Sequence, residues 1–368
     1  MSNYISSTEE TPINIINVEE LEGRVEARME PGAFHSIRGG AGNEKTLQRN
    51  ITAFDDIGII SRTLQDIESA SQKTSIFGID IDYPIITSPV AAQELLHVNG
   101  EKDGMKGTNL AGSIYVASTY TNFTIDEIRQ ANPDGNLFFQ LYMSKRDDFN
   151  DWMIDKAVKN GAKAIVLTCD AVLGGNREWD NRLKFQFPVS FGNLAEFYQE
   201  DSGVGLGIAT IFAMAKQNLA LENIKYIKER SGGLPVIIKG VQYPEDALAA
   251  IEAGADGIWV SNHGGRQLEG GPAAIELLPE VAKAVNKRVP IIFDSGIRRG
   301  QHIFKAIASG ADIVAIGRPA VYGLNLGGAQ GVQSVYEQLG KELNIIMMLT
   351  GCKSIEDIKT KGKLTNLK

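Results

Sequence analysis

The stretch Ala255-Asp-Gly-Ile-Trp-Val-Ser-Asn-His-Gly-Gly-Arg-Gln267 carries two chemically capable side chains, His263 and Arg266, three residues apart. An imidazole titrates near neutrality and can take a proton, while a guanidinium keeps its charge and forks onto carboxylates or phosphates. Gly257 to Val260 has the length and composition of a buried strand. The polar, Gly-rich tip would then stand at the strand's carboxyl end, where parallel α/β folds place chemistry. A lone His at a loop tip can equally be solvated, so the elements that position this tip must decide.

Those elements follow a regular rhythm from Pro84 onward. Apolar runs stand at Ile85-Ile-Thr-Ser88, Ser113-Ile-Tyr-Val-Ala117, Asn136-Leu-Phe-Phe-Gln-Leu141 and Ala164-Ile-Val-Leu-Thr168. Four more follow at Val236-Ile-Ile-Lys239, Gly257-Ile-Trp-Val260, Ile291-Ile-Phe-Asp294 and Ile313-Val-Ala-Ile316. Helical patterning fills the intervals, as in Asp148 to Asn160, Tyr243 to Ala253 and Gly300 to Ser309. A repeated Gly-Ala helix stop at Gly161, Gly254 and Gly310 leads each time into a strand. A doubly wound sheet alternates similarly, but eight units without a break in strand order predict a (β/α)8 TIM barrel over residues 84–350.

Residues 1–83 form an N-terminal preface, and the whole chain, 1–368, reads as one domain. Val18 to Met29 has helical periodicity, and Asn43 to Phe54 reads as a second helix with Asn43 as N-cap. Gly32 to Gly42 is too rich in glycine for a plain helix, and residues 76–83 alternate like a short hairpin. After the fourth strand the spacing stretches to about 65 residues, twice an ordinary βα unit. The excess, about 188–215, contains Phe191, Leu194, Phe197 and Tyr198 and reads as a lid over the catalytic face.

In a barrel the strand ends converge on one mouth. Here they carry Ser88-Pro-Val-Ala91, Ser118-Thr-Tyr120, Gln140-Leu-Tyr142, Thr168-Cys-Asp170, Lys239, Ser261-Asn-His263, Asp294-Ser-Gly296 and Gly317-Arg318. A purely structural barrel needs no such run of polar ends. The last two strands lead into Gly296 with Arg298 and Gly317 with Arg318, suited to a phosphate monoester held by backbone N–H groups and guanidinium charge. Lys239 fits either a Schiff base in an aldolase or a charge partner for an anionic flavin ring. The neutral donors Gln140, Thr168 and Ser118 could read the edge of a flat heterocycle and tip the choice toward flavin.

Composition narrows the setting. A net charge of −8 lacks the basic footprint of general nucleic-acid binding. Cys169 and Cys352 are too few for a disulfide framework, and the start of the chain has neither the basic nor the apolar region of a secretion signal. No apolar run is long enough to span a membrane. A soluble, cytoplasmic protein without membrane or nucleic-acid partners, and without a bound metal, is expected.

Taken together, Ser261-Asn-His-Gly-Gly-Arg-Gln267, Gly175-Asn-Arg177, Thr168-Cys-Asp170, Phe139-Gln-Leu-Tyr142, Asp294-Ser-Gly-Ile-Arg-Arg299 and Gly317-Arg-Pro319 resemble the FMN-dependent α-hydroxy-acid oxidases. The resemblance runs from about Val18 to Asp357 and within the family is strongest to the bacterial L-lactate oxidases. It implies that His263 is the catalytic base, with Asp170 stabilising its imidazolium. It implies that Arg177 and Arg266 clamp the substrate carboxylate and that Tyr142 and Tyr120 bond substrate oxygens. Pro89, Val90, Ala91, Ser118, Gln140, Thr168 and Ser261 would hold the isoalloxazine of FMN, with Lys239 offsetting negative charge near its N1. Asp294 would bind the ribityl hydroxyls, while Gly296, Arg298, Gly317 and Arg318 take the phosphate. The implied reaction turns an L-2-hydroxy acid, L-lactate first among them, into its 2-oxo acid, with O₂ reduced to H₂O₂ in a homotetramer.

The sequence departs from that pattern in places. Ser36, beside His35, stands where the family usually has a Tyr on the substrate carboxylate. Phe187 and Phe212 stand where lactate oxidases tend to show Tyr, which would favour a longer 2-hydroxy acid. Cys169 replaces a more usual Ala and reads as a small buried hydrophobe. Other readings stay open: a dehydrogenase passing electrons to a non-oxygen acceptor, an FMN-binding protein without turnover, and an aldolase using Lys239.

Overall fold

All eight apolar runs form strands: β1 (Ile85–Thr87), β2 (Tyr115–Ala117), β3 (Leu137–Leu141), β4 (Ile165–Thr168), β5 (Val236–Val241), β6 (Gly257–Val260), β7 (Ile291–Phe293) and β8 (Ile313–Ile316). The structure, a computed structural model, describes residues 4–199 and 203–367. The strands are parallel and follow the order β1-β8-β7-β6-β5-β4-β3-β2. The remaining seam is bridged where the Thr87 N–H donates to the Ile114 carbonyl (3.2 Å) and the Val116 N–H to the Thr87 hydroxyl (3.0 Å). The result is a nearly closed eight-stranded barrel. The Gly-Ala repeat has a backbone cause: Gly161, Gly254 and Gly310 adopt φ of +70°, +100° and +114°, where a side chain would be strained.

A strand turns successive side chains to opposite faces, so residues two apart share a face. Ile86, Val116, Phe138, Val166, Ile237, Trp259, Ile292 and Ala315, one from each strand, pack as a single apolar layer inside the barrel. The hairpin Thr74–Ile76/Ile79–Ile81 plugs the end beneath that layer, with Phe77 edge-on to Phe138 at 6.0 Å. Two residues further along each strand come Ser88, Ser118, Gln140, Thr168, Lys239, Ser261, Asp294 and Gly317. Period two therefore aims one polar or Gly position from every strand at the opposite mouth.

The preface differs from expectation in two places. Residues judged too Gly-rich for a helix form one, Pro31–Arg38. Pro31 opens it with a preset φ and the Glu30 carboxylate caps the Ala33 N–H, so Gly32 is tolerated and the other glycines fall beyond its end. The next helix is Lys45–Thr52, preceded by Glu44 in the left-handed region (φ 61°), so Asn43 is not its cap. The first helix is shorter than the periodicity implied, Glu20–Glu26.

The insert after β4 contains helices Gly192–Tyr198 and Ile208–Ala213 rather than a plain loop. Its Glu200 and Asp201 lie outside the described residues. The last long helix, Arg318–Thr350, is kinked at Gly327 and Gly328. Among the described residues no helix is long and apolar enough to cross a membrane.

Candidate active site

The barrel mouth opens into a cavity of about 1180 Å³, its open entrance included, and most of the residues singled out in the sequence line it. Pro89, Val90, Ala91, Ser118, Tyr120, Tyr142, Thr168, Arg177, Lys239, His263, Arg266, Asp294, Gly296, Arg298, Gly317 and Arg318 are all at its surface. Asp170, Gln140 and Ser261 stand one layer behind and act on the lining. Asp170 is 2.9 Å from His263 Nδ1. Gln140 Oε1 accepts from the Ser118 hydroxyl (3.2 Å), and Ser261 Oγ accepts from Lys239 Nζ (2.9 Å) and from the His263 N–H (3.0 Å).

His263 is held with its backbone in the left-handed region, φ 58°, which a non-Gly residue adopts only when its surroundings enforce it. Ser261 bonds its N–H, and Ser295 Oγ accepts the next one, from Gly264, at 3.1 Å. Burial pushes the imidazole below its ordinary value, opposed by Asp170. Burial alone would raise the Asp170 carboxyl, but His263 and Lys239 hold it below the usual carboxylate range. Both directions describe one state: an ionised Asp170 accepting from Nδ1–H of a neutral His263. The free lone pair is then on Nε2, which faces the Tyr142 hydroxyl at 3.3 Å. Such an imidazole can take a proton from a group placed beside Tyr142.

Asp170 is itself braced. A Cβ at Gly240 (φ +101°) would meet the Asp170 side chain at 2.5 Å, so a glycine lets β5 pass this close. Gln267 Nε2 donates to the Asp170 carbonyl (3.0 Å) and to Leu173 O (2.8 Å), tying the β4 and β6 tips together. Neither the type nor the spacing of Gln267 and Ser295 marks them as site residues in the sequence. Their only sequence signal is their place in Arg-Gln and Asp-Ser-Gly tips. Cys169 beside this pair is inert, since burial pushes its thiol up to about 12.

The mouth is strongly electropositive. Burial pushes the Arg266 and Arg318 guanidiniums down to about 9, with repulsion from Arg177 adding to the shift at Arg266 and repulsion from Arg266 adding to the shift at Arg318. Arg177 is lowered for the same first reason. None of the three forms an ion pair among the described residues, so the site has a standing demand for anions. They are not equivalent. Arg266 gives Nη1 to the carbonyls of Ile37 (3.0 Å) and Gly39 (2.6 Å) and Nη2 to Ser36 O (2.8 Å). Arg318 likewise holds Arg38 O, Gly39 O and Gly264 O. The Arg177 Nε is buried with no partner among the described residues, its guanidinium lying 5.7 Å over the Phe212 ring.

A flat, hydrogen-bonding cofactor fits these residues. Gln140 Nε2 and Thr168 Oγ1 are buried without partners among the described residues. Lys239 Nζ reaches Asp294 Oδ2 at 3.2 Å, next to the Ser88 hydroxyl at 3.2 Å from the same oxygen. A Cβ at Gly296 (φ +94°) would strike Asn50 O at 1.9 Å, so only glycine fits there. Gly317 caps the helix that begins at Arg318, bringing helix N–H groups to the Arg298 and Arg318 side of the cavity, the arrangement that binds phosphate.

A family model for the FMN-dependent dehydrogenases matches residues 25–365. The chain belongs to that family, an α/β-barrel class of FMN enzymes. An L-lactate oxidase of Lentilactobacillus hilgardii is 48% identical over 368 residues, covering 100% of this chain and 99% of that one. One from Streptococcus iniae is 45% identical over 97% of this chain and 87% of its own length. Among solved structures, a Pediococcus acidilactici protein assigned as a lactate oxidase superposes with a TM-score of 0.95 at 49% identity, covering 100% and 99% of the two chains. A mandelate oxidase matches with a TM-score of 0.88 at 31% identity over 96% of this chain and 99% of its own.

Proposed function

We propose that the protein is an FMN-dependent (S)-2-hydroxy-acid oxidase that turns L-lactate or a close analogue into the 2-oxo acid and reduces O₂ to H₂O₂. The observation that carries this reading is the convergence of a neutral His263, oriented by Asp170, with an unpartnered Arg177 in one cavity. The lactate oxidases at 45–48% identity supply the substrate and the acceptor. As one catalytic domain, cytoplasmic and homotetrameric, the protein would follow the same family resemblance.

In this reading Arg177 binds the substrate carboxylate, with an Nε that has no partner among the described residues. Arg266 adds charge while its Nη groups stay on the carbonyls of residues 36–39. The Tyr142 hydroxyl, 3.3 Å from His263 Nε2, places the substrate hydroxyl beside the base. His263 takes the hydroxyl proton at Nε2, and the ionised Asp170 stabilises the imidazolium through Nδ1–H. FMN, when bound, would supply the two-electron acceptor, with O₂ as the final oxidant. Gln140, Thr168, Ser118, Ser261 and the backbone at Pro89–Ala91 would hold its ring, with Lys239 offsetting negative charge there. Asp294 would take the ribityl chain, and Gly296, Arg298, Gly317 and Arg318 the phosphate.

The test is the absorbance of the purified yellow protein under anaerobic L-lactate, followed by air. Bleaching, then recovery of colour with peroxide release, is expected. Absence of bleaching with every 2-hydroxy acid would overturn the enzyme reading, and recovery only with an artificial acceptor would replace oxidase by dehydrogenase.

Ser36 is buried and lines the same cavity, where the family pattern has a phenol. A charge-assisted hydrogen bond contributes about 1.5–3 kcal/mol. Ser36→Tyr is therefore expected to lower KM for lactate by roughly tenfold or more, and an unchanged KM in steady-state kinetics would count against a carboxylate contact there.

A further inference from the structure

We infer that the substrate's side chain is a hydrocarbon longer than methyl. This rests on the oxidase reading above and deepens it. An L-2-hydroxy acid carries four groups on its reacting carbon. The carboxylate is claimed by Arg177, the hydroxyl by Tyr142 and His263, and the hydrogen leaves to the acceptor. The fourth group meets what remains of the cavity lining, which is the work of the insert: Phe187, Phe191, Ile208, Ile211 and Phe212, with Tyr120 from the β2 tip.

These side chains form a continuous wall. Phe187 packs edge-on to Phe191 at 5.1 Å, Phe191 lies 5.8 Å from Tyr120, Tyr120 stacks on Tyr142 at 5.5 Å, and Tyr142 meets Phe212 at 6.1 Å. Phe212 also lies under the Arg177 guanidinium, so the wall begins where the carboxylate would sit. Phe187, Phe191, Ile211 and Phe212 are all buried. Apart from the hydroxyls of Tyr120 and Tyr142, the latter turned to His263, the wall offers no donor or acceptor side chain. A methyl group touches only a small part of five hydrocarbon side chains, whereas each further methylene can take its place against them. A second carboxylate or a side-chain hydroxyl would lose water here and gain no partner.

The test uses the FMN-loaded enzyme and straight-chain (S)-2-hydroxy acids from three to eight carbons, with (S)-malate and (S)-glycerate as polar controls. Expected is a rise in kcat/KM of about fourfold per methylene beyond lactate over the first two or three steps. The polar controls should fall roughly tenfold or more below their apolar counterparts of equal length. In parallel, the dissociation constants of the matching 2-oxo acids, read from perturbation of the holoenzyme's visible spectrum, should tighten by similar factors. Ile208→Gln, which sets an amide into the wall, should reduce the preference for the six-carbon acid over lactate by about tenfold. Activity that is highest with lactate and falls with length, with 2-oxo acid binding following it, overturns this inference while leaving the oxidase reading standing. Failure of every member to bleach the enzyme overturns the oxidase reading itself.

Discussion

Replacing His263 by Gln lowers the rate of anaerobic bleaching by about 10²–10⁴-fold while FMN stays bound, as expected for loss of a general base. Nε2 is the acceptor poised beside the Tyr142 hydroxyl, and Gln offers no group of comparable basicity there. A loss below tenfold in stopped-flow traces would place the base elsewhere. The same residue fixes the pH profile. The base works only when neutral, and burial lowers its pKa, so the neutral form persists as pH drops through about 6.5. The acid limb of kcat/KM is therefore expected below that pH. A limb at or above it would mean that the Asp170 charge outweighs burial.

The second large effect separates the two substrate-side arginines. Arg177→Leu is expected to reduce kcat/KM for lactate by about 30-fold to several thousand-fold, the 2–5 kcal/mol that follows from truncating one partner of a buried charge pair. Its Nε has no partner among the described residues. Tm should change little, because the burial cost of the guanidinium is removed together with its partial compensation by Asp180. Arg266→Leu strips the Ser36 and Ile37 carbonyls of their guanidinium donor, leaves Gly39 O to Arg318 alone, and should lower both Tm and activity. Calorimetry beside kinetics decides: equal thermal losses in the two variants would show that Arg177 is structural as well.

Legibility in the sequence followed physical range. The barrel could be read because each strand announces itself within four or five residues, and a Gly at 161, 254 or 310 announces the turn before it. The site could be read for the same reason: period two carries Phe138 to Gln140 or Ile237 to Lys239 without long-range information. What escaped depends on partners far along the chain. The helix Pro31–Arg38 survives its Gly content because a Pro and a Glu cap open it and because Arg266 and Arg318 bind its end. Gln267 matters through Asp170 and Leu173, more than ninety positions away. Nothing in their local sequence marks Ile208 and Ile211, which a helix within the insert brings to the cavity.

Two of the cavity's guanidiniums spend their hydrogen bonds on carbonyls of residues 36–39, and so does much of the N-terminal preface's anchorage to the barrel. An anion that settles among those charges eases their mutual repulsion and so tightens the grip on the preface. Cofactor affinity and the docking of the first fifty residues are then one linked equilibrium observed from two ends. Because residues 38 and 39 hold Arg318 through main-chain carbonyls, a substitution that displaces this segment is expected to weaken FMN retention as well as the docking of the preface.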